Sequence, residues 1–518
     1  MDPKRIEQLR DPSVFPGAAD TVDLIQTHLS VVCVVGDFAY KFKKAIELPF
    51  VDFSSLENRK RFCEEELRLN RRLCPSEYLS VEKLRESPEG KIALGAESGE
   101  IIDYAVKMRR LPADRMMDVL LEDDAVSEKD IVDLAKEVVA FHNHAERGQE
   151  IDSFGDPEKL AQFAIKNFEE SEKYVDKILS ASLHEELFAH TKRDFKKWMP
   201  ILQERLREGK IVDGHGDLHA RNICLTDPIA IYDCIEFEPA FRCGDVALEH
   251  AFLLMDLRFR GHSELAKAYL EAVKAETGDG ELKDILPLFM QYRAMVRCKV
   301  SAITASEQEI DPETRDNAKS EARRYMRLAA GLVVEERRPI WIMLCGLPGS
   351  GKSTIAGLFA EELGWNIFSS DRIRKELAGF TPTDRLPEEF YSSEISNRTY
   401  REMIERATGS SSGISILDAN YRTAVERAKV KLAAAEARSS LVIIHLSPGD
   451  EELQRRLVER SEDPESVSDA DVEVLEKLAS QFEAPHPDEC DLLLEASSLG
   501  SPETAAEEIL SQMCRGIE

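Results

Sequence analysis

The chain has 518 residues, 43% hydrophobic and 32% charged, a globular composition at a length beyond one hydrophobic core, so two or three domains are expected. Its 98 acidic and 68 basic residues give a formal net charge of −30, which repels phosphate backbones and argues against nucleic acid as a partner. No run approaches the roughly 18 uninterrupted apolar residues of a spanning helix, the segment Met1–Glu7 has no signal-peptide core, and the ten cysteines form no C-x-x-C pair; a reduced, cytoplasmic protein without structural zinc or membrane partner is the expectation.

In chain order, Leu29–Val35 reads as a strand, Gly36-Asp37 as a turn, and Phe38–Lys43 as a second, alternating strand. Ser54 and Glu57 have the spacing of a capping box, and the helical run after them continues to Leu73 before Pro75. Ile101–Met108 reads as a further strand, ending at Leu111-Pro112. Residues 126–210 are helical and charged, 211–233 are loop and strand, and helices resume from Val246 to about Glu336. The charged stretch Glu307–Arg338 is expected to be a helix leading to a domain junction. Beyond it, strand patterns at Ile340–Cys345, Ile414–Leu417 and Leu441–Leu446 alternate with helical patterns at Thr354–Leu363, Glu394–Ala407 and Glu426–Ala437. That alternation predicts a parallel sheet with helices on both faces. The expected domains are therefore 1–335, with a small lobe over about 20–111 and a helical lobe over 112–335, and 336–518.

The second domain opens on Gly346-Leu347-Pro348-Gly349-Ser350-Gly351-Lys352-Ser353-Thr354, which fits G-x-x-x-x-G-K-[ST]. Gly346, Gly349 and Gly351 let backbone amides turn onto phosphate, and the helix that follows adds its positive end. Lys352 has the reach for the β and γ phosphates, and Ser353 can hold Mg²⁺. Asp371 follows about twenty residues later, where a general base belongs, and Arg374 stands one helical turn on, able to clamp substrate or the transferring phosphate. A helix N-cap is the other reading of Asp371. Trp365–Phe368 reads as a short second strand, and Asp418, at the end of the third, is a candidate for the Mg²⁺ shell. Arg455, Arg456 and Arg460 share a helix over Glu452–Arg460; they form either a lid, with Arg456 toward the nucleotide, or a solvated basic face. This half resembles P-loop kinases of the gluconate kinase, zeta-toxin and polynucleotide 5′-kinase group. In that group the position of Asp371 is the usual base, and Ser466–Ala470 would fall in the lid region.

The first domain carries His215-Gly216-Asp217-Leu218-His219-Ala220-Arg221-Asn222-Ile223, with Asp233 ten residues on. Asp217 can orient an acceptor hydroxyl and accept its proton, while Asn222 and Asp233 can hold Mg²⁺ against phosphates. A strand lysine paired with a helix glutamate should meet the phosphate oxygens. Lys41 and Glu66 are the candidates, with Lys43 and Glu65 close rivals. His215 is expected to brace the loop, His142 and His144 to be packing or surface residues, and Arg242 and Asp245 to hold the catalytic loop by hydrogen bonds. Over residues 20–330 the order of elements resembles the aminoglycoside phosphotransferase and choline kinase group, a bilobal, protein-kinase-like α+β fold. The matching residues are His215–His219, Asn222, Asp233, Arg242 and Asp245, and the resemblance implies base and metal roles for Asp217, Asn222 and Asp233. Two features depart from the group. Cys234-Ile235-Glu236-Phe237-Glu238 is acid-rich, and no G-x-G-x-x-G precedes Lys41, leaving the Gly36-Asp37 turn to cover phosphate.

The whole order resembles bacterial bifunctional aminoglycoside phosphotransferase-like/ATP-binding proteins. It implies two kinases using ATP and Mg²⁺ on small-molecule hydroxyls. The alternatives are a nucleotide-sensing regulator and a nucleic-acid 5′-hydroxyl kinase. Modification of a cationic aminoglycoside is a narrower reading, with Glu236 and Glu238 as the acids of its pocket.

Overall fold

Alternation in the first strands separates a core face from a face that carries Lys41 and Lys43. Strands β1 (Asp23–Gln26), β2 (Ser30–Val35) and β3 (Phe38–Lys43) pair antiparallel with Val31 opposite Phe42 and Cys33 opposite Tyr40. These four residues enter one buried cluster with Val35, Leu84 and Ile102. Lys41 and Lys43, on the alternate positions of β3, therefore face the other way. Strands β4 (Tyr78–Glu86), β5 (Ile92–Leu94) and β6 (Glu100–Arg109) complete a six-stranded sheet in the order β1-β2-β3-β6-β4-β5. Helix α1 (Leu56–Asn70) packs on β6, beside the lysines. Its N-cap is Ser55, whose hydroxyl accepts from Asn58 N at 3.1 Å. The capping box expected from Ser54 and Glu57 does not form, because Asp52 captures Ser54 through both its N–H and its hydroxyl.

The structure, a computed structural model, describes residues 3–17, 21–48, 51–337, 339–381, 384, 386–410, 413–461, 475, 478–496 and 500–516. Contacts divide the chain into two compact units, 1–162 with 197–289 and 163–196 with 290–518. Residues 163–196 and 290–335, assigned from sequence to the first domain, thus cluster with the P-loop half. Among the described residues no helix is long and apolar enough to cross a membrane.

In the first unit α2 (Glu128–His144) begins with a capping box between Ser127 and Asp130. Helix α3 (Ala181–Arg207) ends in this unit, where Arg205 is fully buried. Its guanidinium donates to both carboxylate oxygens of Asp245, at 2.7 and 2.8 Å, and to Asp279 at 2.9 Å. Asp245 also caps α4 (Val246–Phe259) by accepting from Ala247 N at 2.8 Å. Asp245 thus anchors a helix start and a buried cation, whereas the sequence placed it as a brace of the catalytic loop. Arg242 does brace that region, donating to Asp213 Oδ1 at 2.7 Å and to Ile235 O at 3.4 Å.

Helix α5 (Leu282–Ser306) ends in the second unit, followed by α6 (Pro312–Glu335), which is capped by Asp311. The parallel sheet comprises β7 (Ile340–Cys345), β8 (Asn366–Ser369), β9 (Ile414–Asp418), β10 (Ser440–Leu446) and β11 (Leu492–Ala496), in the order β8-β9-β7-β10-β11. All six residues of β7 are buried, as a central strand covered on both faces requires. Helix α7 (Lys352–Leu363) follows it. Within this unit Arg327 of α6 bridges Glu362 of α7 and Glu507 of α10 (Pro502–Gly516, the tenth helix labelled), at 2.6 and 2.9 Å. Strands β1, β4, β5 and β11 and the C-terminal helix were not anticipated from sequence.

Arg205→Met leaves the buried Asp245 without its guanidinium partner and leaves Asp279 to Lys210, 3.5 Å away. We expect it to lower unfolding free energy by about 3–5 kcal/mol, read as a fall in the urea midpoint at unchanged slope. A midpoint equal to that of the wild type would remove this role.

Candidate active sites

Strand register builds the site of the second unit. Leu344 of β7 pairs with Asp418 of β9, and Asp418 pairs with Ser369 of β8. Three adjacent parallel strands therefore end level, and the P-loop, Asp418 and the helix bearing Asp371 leave from one edge. This is the switch point of the sheet, where open α/β folds bind ligands. The loop crosses β10 so closely that a Cβ on Gly346, whose φ is 151°, would lie 2.4 Å from Leu446 O. Gly349 and Gly351 also have positive φ, and Gly351 is the N-cap of α7. Ser350 is fully buried. Lys352 Nζ donates to Gly346 O and Leu347 O, both at 2.9 Å, which holds the ammonium inside the loop.

Ser353 Oγ donates to Asp418 Oδ2 at 2.8 Å, while Thr354, next on α7, is exposed. Burial pushes the Asp418 carboxyl above its usual range; Lys352 and the Ser353 hydroxyl oppose this, and nearby Asp371 adds repulsion. Asp371 lies in the first turn of α8 (Ser370–Ala378), but the N-cap is Ser369. Its Oδ1 accepts from Arg374 Nη1 at 3.0 Å, and the Arg374 guanidinium lies 4.8 Å from the Tyr391 ring centre. Arg455 and Arg456, on α9 (Asp450–Ser461), both pair with Glu452, at 2.7 and 2.6 Å. Ser466–Ala470 lies outside the described residues.

In the first unit, Lys41 and Lys43 both reach Glu66. Lys41 Nζ is 3.0 Å from Oε1 and Lys43 Nζ 2.6 Å from Oε2. Lys41 also contacts Asp233, and Lys43 contacts Glu236. Glu65 turns away to Arg68 at 2.7 Å. The two lysines differ in exposure, 14% for the Lys41 side chain and 1% for Lys43. Burial works against the Lys41 charge, but Asp233, Glu66 and Glu236 outweigh it and raise its pKa well above the usual value. For Glu66 burial is likewise overcome, and the two lysines hold its carboxyl down to about 2. Glu236 is 7% exposed, and Glu238 accepts from Ala240 N at 3.1 Å. Both acids suggested for an aminoglycoside pocket are thus engaged in the fold.

Asn222 and Asp233 flank a short ribbon in which Ile223–Cys224 pairs with Ala230–Ile231, so both stand at its same end. Asn222 Nδ2 donates to Asp217 Oδ2 at 2.9 Å, and His219 Nε2 lies 3.3 Å from the same oxygen. Asp233 has a left-handed backbone, φ 64°. Around it, Cys234 N donates to Asn70 Oδ1 at 2.9 Å and Ile235 N to His215 O at 3.1 Å. His215 braces the loop through Tyr232 O at 3.0 Å, accepts from Asp217 N at 3.3 Å, and has its pKa lowered by burial.

Glu249 of α4 is the principal residue that the sequence reading missed. Its Oε1 accepts from the backbone amides of His215 and Gly216, both at 2.5 Å, and its Oε2 meets His142 Nε2 at 2.7 Å. His142 is thereby a buried partner of the loop, while His144 stays on the surface. Burial would raise the Glu249 carboxyl, but His142, His215 and the Gly216 amide hold it down to about 2. Gly216, at φ 85°, leaves no room for a Cβ, which would sit 2.7 Å from Phe241 O. Glu249 is the fourth residue of α4, and nothing local marked it.

Gly346→Ala, whose Cβ would force the loop away from Leu446 O, is expected to weaken ATP binding at least tenfold, measured with a fluorescent ATP analogue on protein shown to be folded by circular dichroism; unchanged affinity would show that the loop does not grip phosphate. A depressed carboxylate stabilises above its unfolded pKa and loses that stability as pH falls through its folded value. Glu249 therefore contributes fully above about 4.5 and progressively less down to about 2. Glu249→Gln should cost on the order of 3 kcal/mol at neutral pH. The gap to the wild type, from denaturant titrations, should close across that acid window; a pH-independent gap would contradict the assignment.

Residues 341–485 match the AAA domain family. The chain is 30% identical over 469 residues to the uncharacterized protein Rv2004c of Mycobacterium tuberculosis, covering 89% of this chain and 90% of that one, and equally similar to the uncharacterized protein Mb2027c of Mycobacterium bovis. Among solved structures, a gluconokinase from Sinorhizobium meliloti 1021 aligns at 19% identity, covering 34% of this chain and 93% of that chain, with a TM-score of 0.25. A choline/ethanolamine kinase family protein from Mesorhizobium loti aligns at 10% identity over 60% of this chain and 90% of that chain, with a TM-score of 0.35. On the near-full-length match, the chain belongs to the family of Rv2004c, and it carries a nucleotide-binding P-loop fold in its C-terminal half.

Proposed function

We propose that the chain is an ATP- and Mg²⁺-dependent phosphotransferase with two kinase sites, acting in the cytoplasm on hydroxyls of small molecules. One site belongs to a bilobal, protein-kinase-like domain over residues 1–335, and the other to a P-loop kinase domain over 336–518. The observation that carries this reading is the level ending of β7, β9 and β8, which brings Lys352, Ser353, Asp418 and Asp371 to one sheet edge.

In the P-loop site the loop amides and Lys352 bind the β and γ phosphates. Asp371 orients the acceptor hydroxyl and takes its proton as the oxygen–phosphorus bond forms and the bond to the β-phosphate oxygen breaks. Arg374 holds Asp371 in place and meets the charge of the transferring group. Arg456 would act from the neighbouring helix. The Ser353 hydroxyl and the buried Asp418 carboxylate, 2.8 Å apart, are hard oxygen donors that suit Mg²⁺. Asn222 and Asp233 offer a comparable pair in the first site, where Lys41, held by Glu66, would meet phosphate oxygens and Asp217 would be the base. Mg²⁺, when bound, neutralises charge on the phosphates.

Wild type, Asp217→Asn and Lys352→Ala proteins, incubated with γ-labelled ATP and fractionated cell metabolites, test the reading. Each variant is expected to lose its own labelled product, by about 10²–10⁴-fold for the base variant, and to retain the other. Absence of any labelled acceptor and of ATP turnover in the wild type would overturn the proposal.

A further inference from the structure

Away from both sites, His190 and Asp194 project from one face of α3, one turn apart, and meet Glu336 just beyond the end of α6. All three belong to the second unit. His190 is 5% exposed and Asp194 4%. His190 Nε2 lies 3.0 Å from Asp194 Oδ2 and 3.7 Å from a Glu336 carboxylate oxygen. The closer approach lacks hydrogen-bond alignment: both ring nitrogens of His190 and Oδ2 of Asp194 are buried without a hydrogen-bond partner. One potential ligand atom from each of the three residues lies within 4.8 Å of the others. Gln291 Nε2 donates to Glu336 Oε1 at 2.5 Å and steadies that carboxylate.

We propose that His190, Asp194 and Glu336 form a binding site for a divalent transition ion of the zinc type. Zinc bound to imidazole nitrogen and carboxylate oxygen at about 2.0–2.2 Å spaces its ligand atoms roughly 3.3 Å apart, so side-chain shifts on the order of 1 Å complete the site. One nitrogen and two carboxylate oxygens favour Zn²⁺, Co²⁺ or Mn²⁺ over Mg²⁺, which prefers an all-oxygen shell. A bound dication would answer two carboxylates, one of them deeply buried, and the orphaned imidazole together. It would tie α3 to the end of α6, four residues before the strand that carries the P-loop. The sequence pattern hid the site because none of its ligands is cysteine and the third is far away in the chain. An imidazolium ion on His190 could satisfy the same carboxylates, and the experiment separates the two.

The full chain, stripped with chelator, is dialysed against excess Mg²⁺ with trace Zn²⁺, and the retained zinc is counted by mass spectrometry. The wild type and Asp418→Asn are expected to retain one zinc per chain, and Asp194→Asn and His190→Gln none. In the same buffer Co²⁺ should give the wild type the intense visible absorption of a low-symmetry site with nitrogen ligation. Wild type that retains no zinc and shows no such spectrum, or folded variants that retain as much zinc as the wild type, would overturn the proposal. If both variants fail to fold by circular dichroism, the cobalt spectrum of the wild type decides alone.

Discussion

A charge taken out of water must be met by an opposite charge or by aligned hydrogen bonds, and each unit is organised around that requirement. Cations and carboxylates gathered in a partly dry place on their own oppose folding. The first unit answers with ladders of opposite charge: Asp233, Lys41, Glu66, Lys43 and Glu236 follow one another in contact. The second unit uses the loop backbone, whose carbonyls receive Lys352, and a single carboxylate, Asp418, bonded to Ser353. Arg205 and Arg327, remote from either site, are satisfied by paired acids in the same manner.

The requirement also explains why the loops at Asp217 and Asp233 are held from several sides. The loop that carries Asp217 hangs from Glu249 through two amides, and Glu249 is itself held by His142. Asp233 keeps a left-handed backbone, and the flanking amides of Cys234 and Ile235 are tied to Asn70 and to His215. Backbone strain of this kind persists only where surrounding bonds over-determine it. In the second unit the equivalent work is done by strand register, because parallel pairing fixes where each strand ends before any side chain is chosen.

Elements with a short-range code were legible. The buried run Ile340–Cys345, the glycine spacing behind it, and the alternation of Phe38–Lys43 each carry their structure within a few residues. The misses have physical causes. Tyr78–Glu86 is rich in charge and its partner β6 begins fourteen residues after it ends, so no short-range pattern marked it as a strand. The capping serine slipped by one position because Asp52 competes for Ser54. Glu236 and Glu238, offered by the sequence as acids of a substrate pocket, are held instead by the fold, one against Lys43 and the other on a helix N-terminus.

The choice between Lys41 and Lys43, and between Glu65 and Glu66, shows the limit of local reading. Alternation along a strand puts Lys41 and Lys43 on one face but cannot say which is nearer a distant helix. Tertiary packing lets both reach Glu66, sends Glu65 to Arg68, and gives Lys41 the contact with Asp233. From the residues alone came the phosphate loop, the Asp217–Asn222–Asp233 set and the alternating pattern of a parallel sheet, because each is written in spacing along the chain. The bracing Glu249, the buried charge ladder and the His190–Asp194–Glu336 cluster were decided only in three dimensions, since they join groups up to 193 residues apart whose sole relation is the need to neutralise one another out of water.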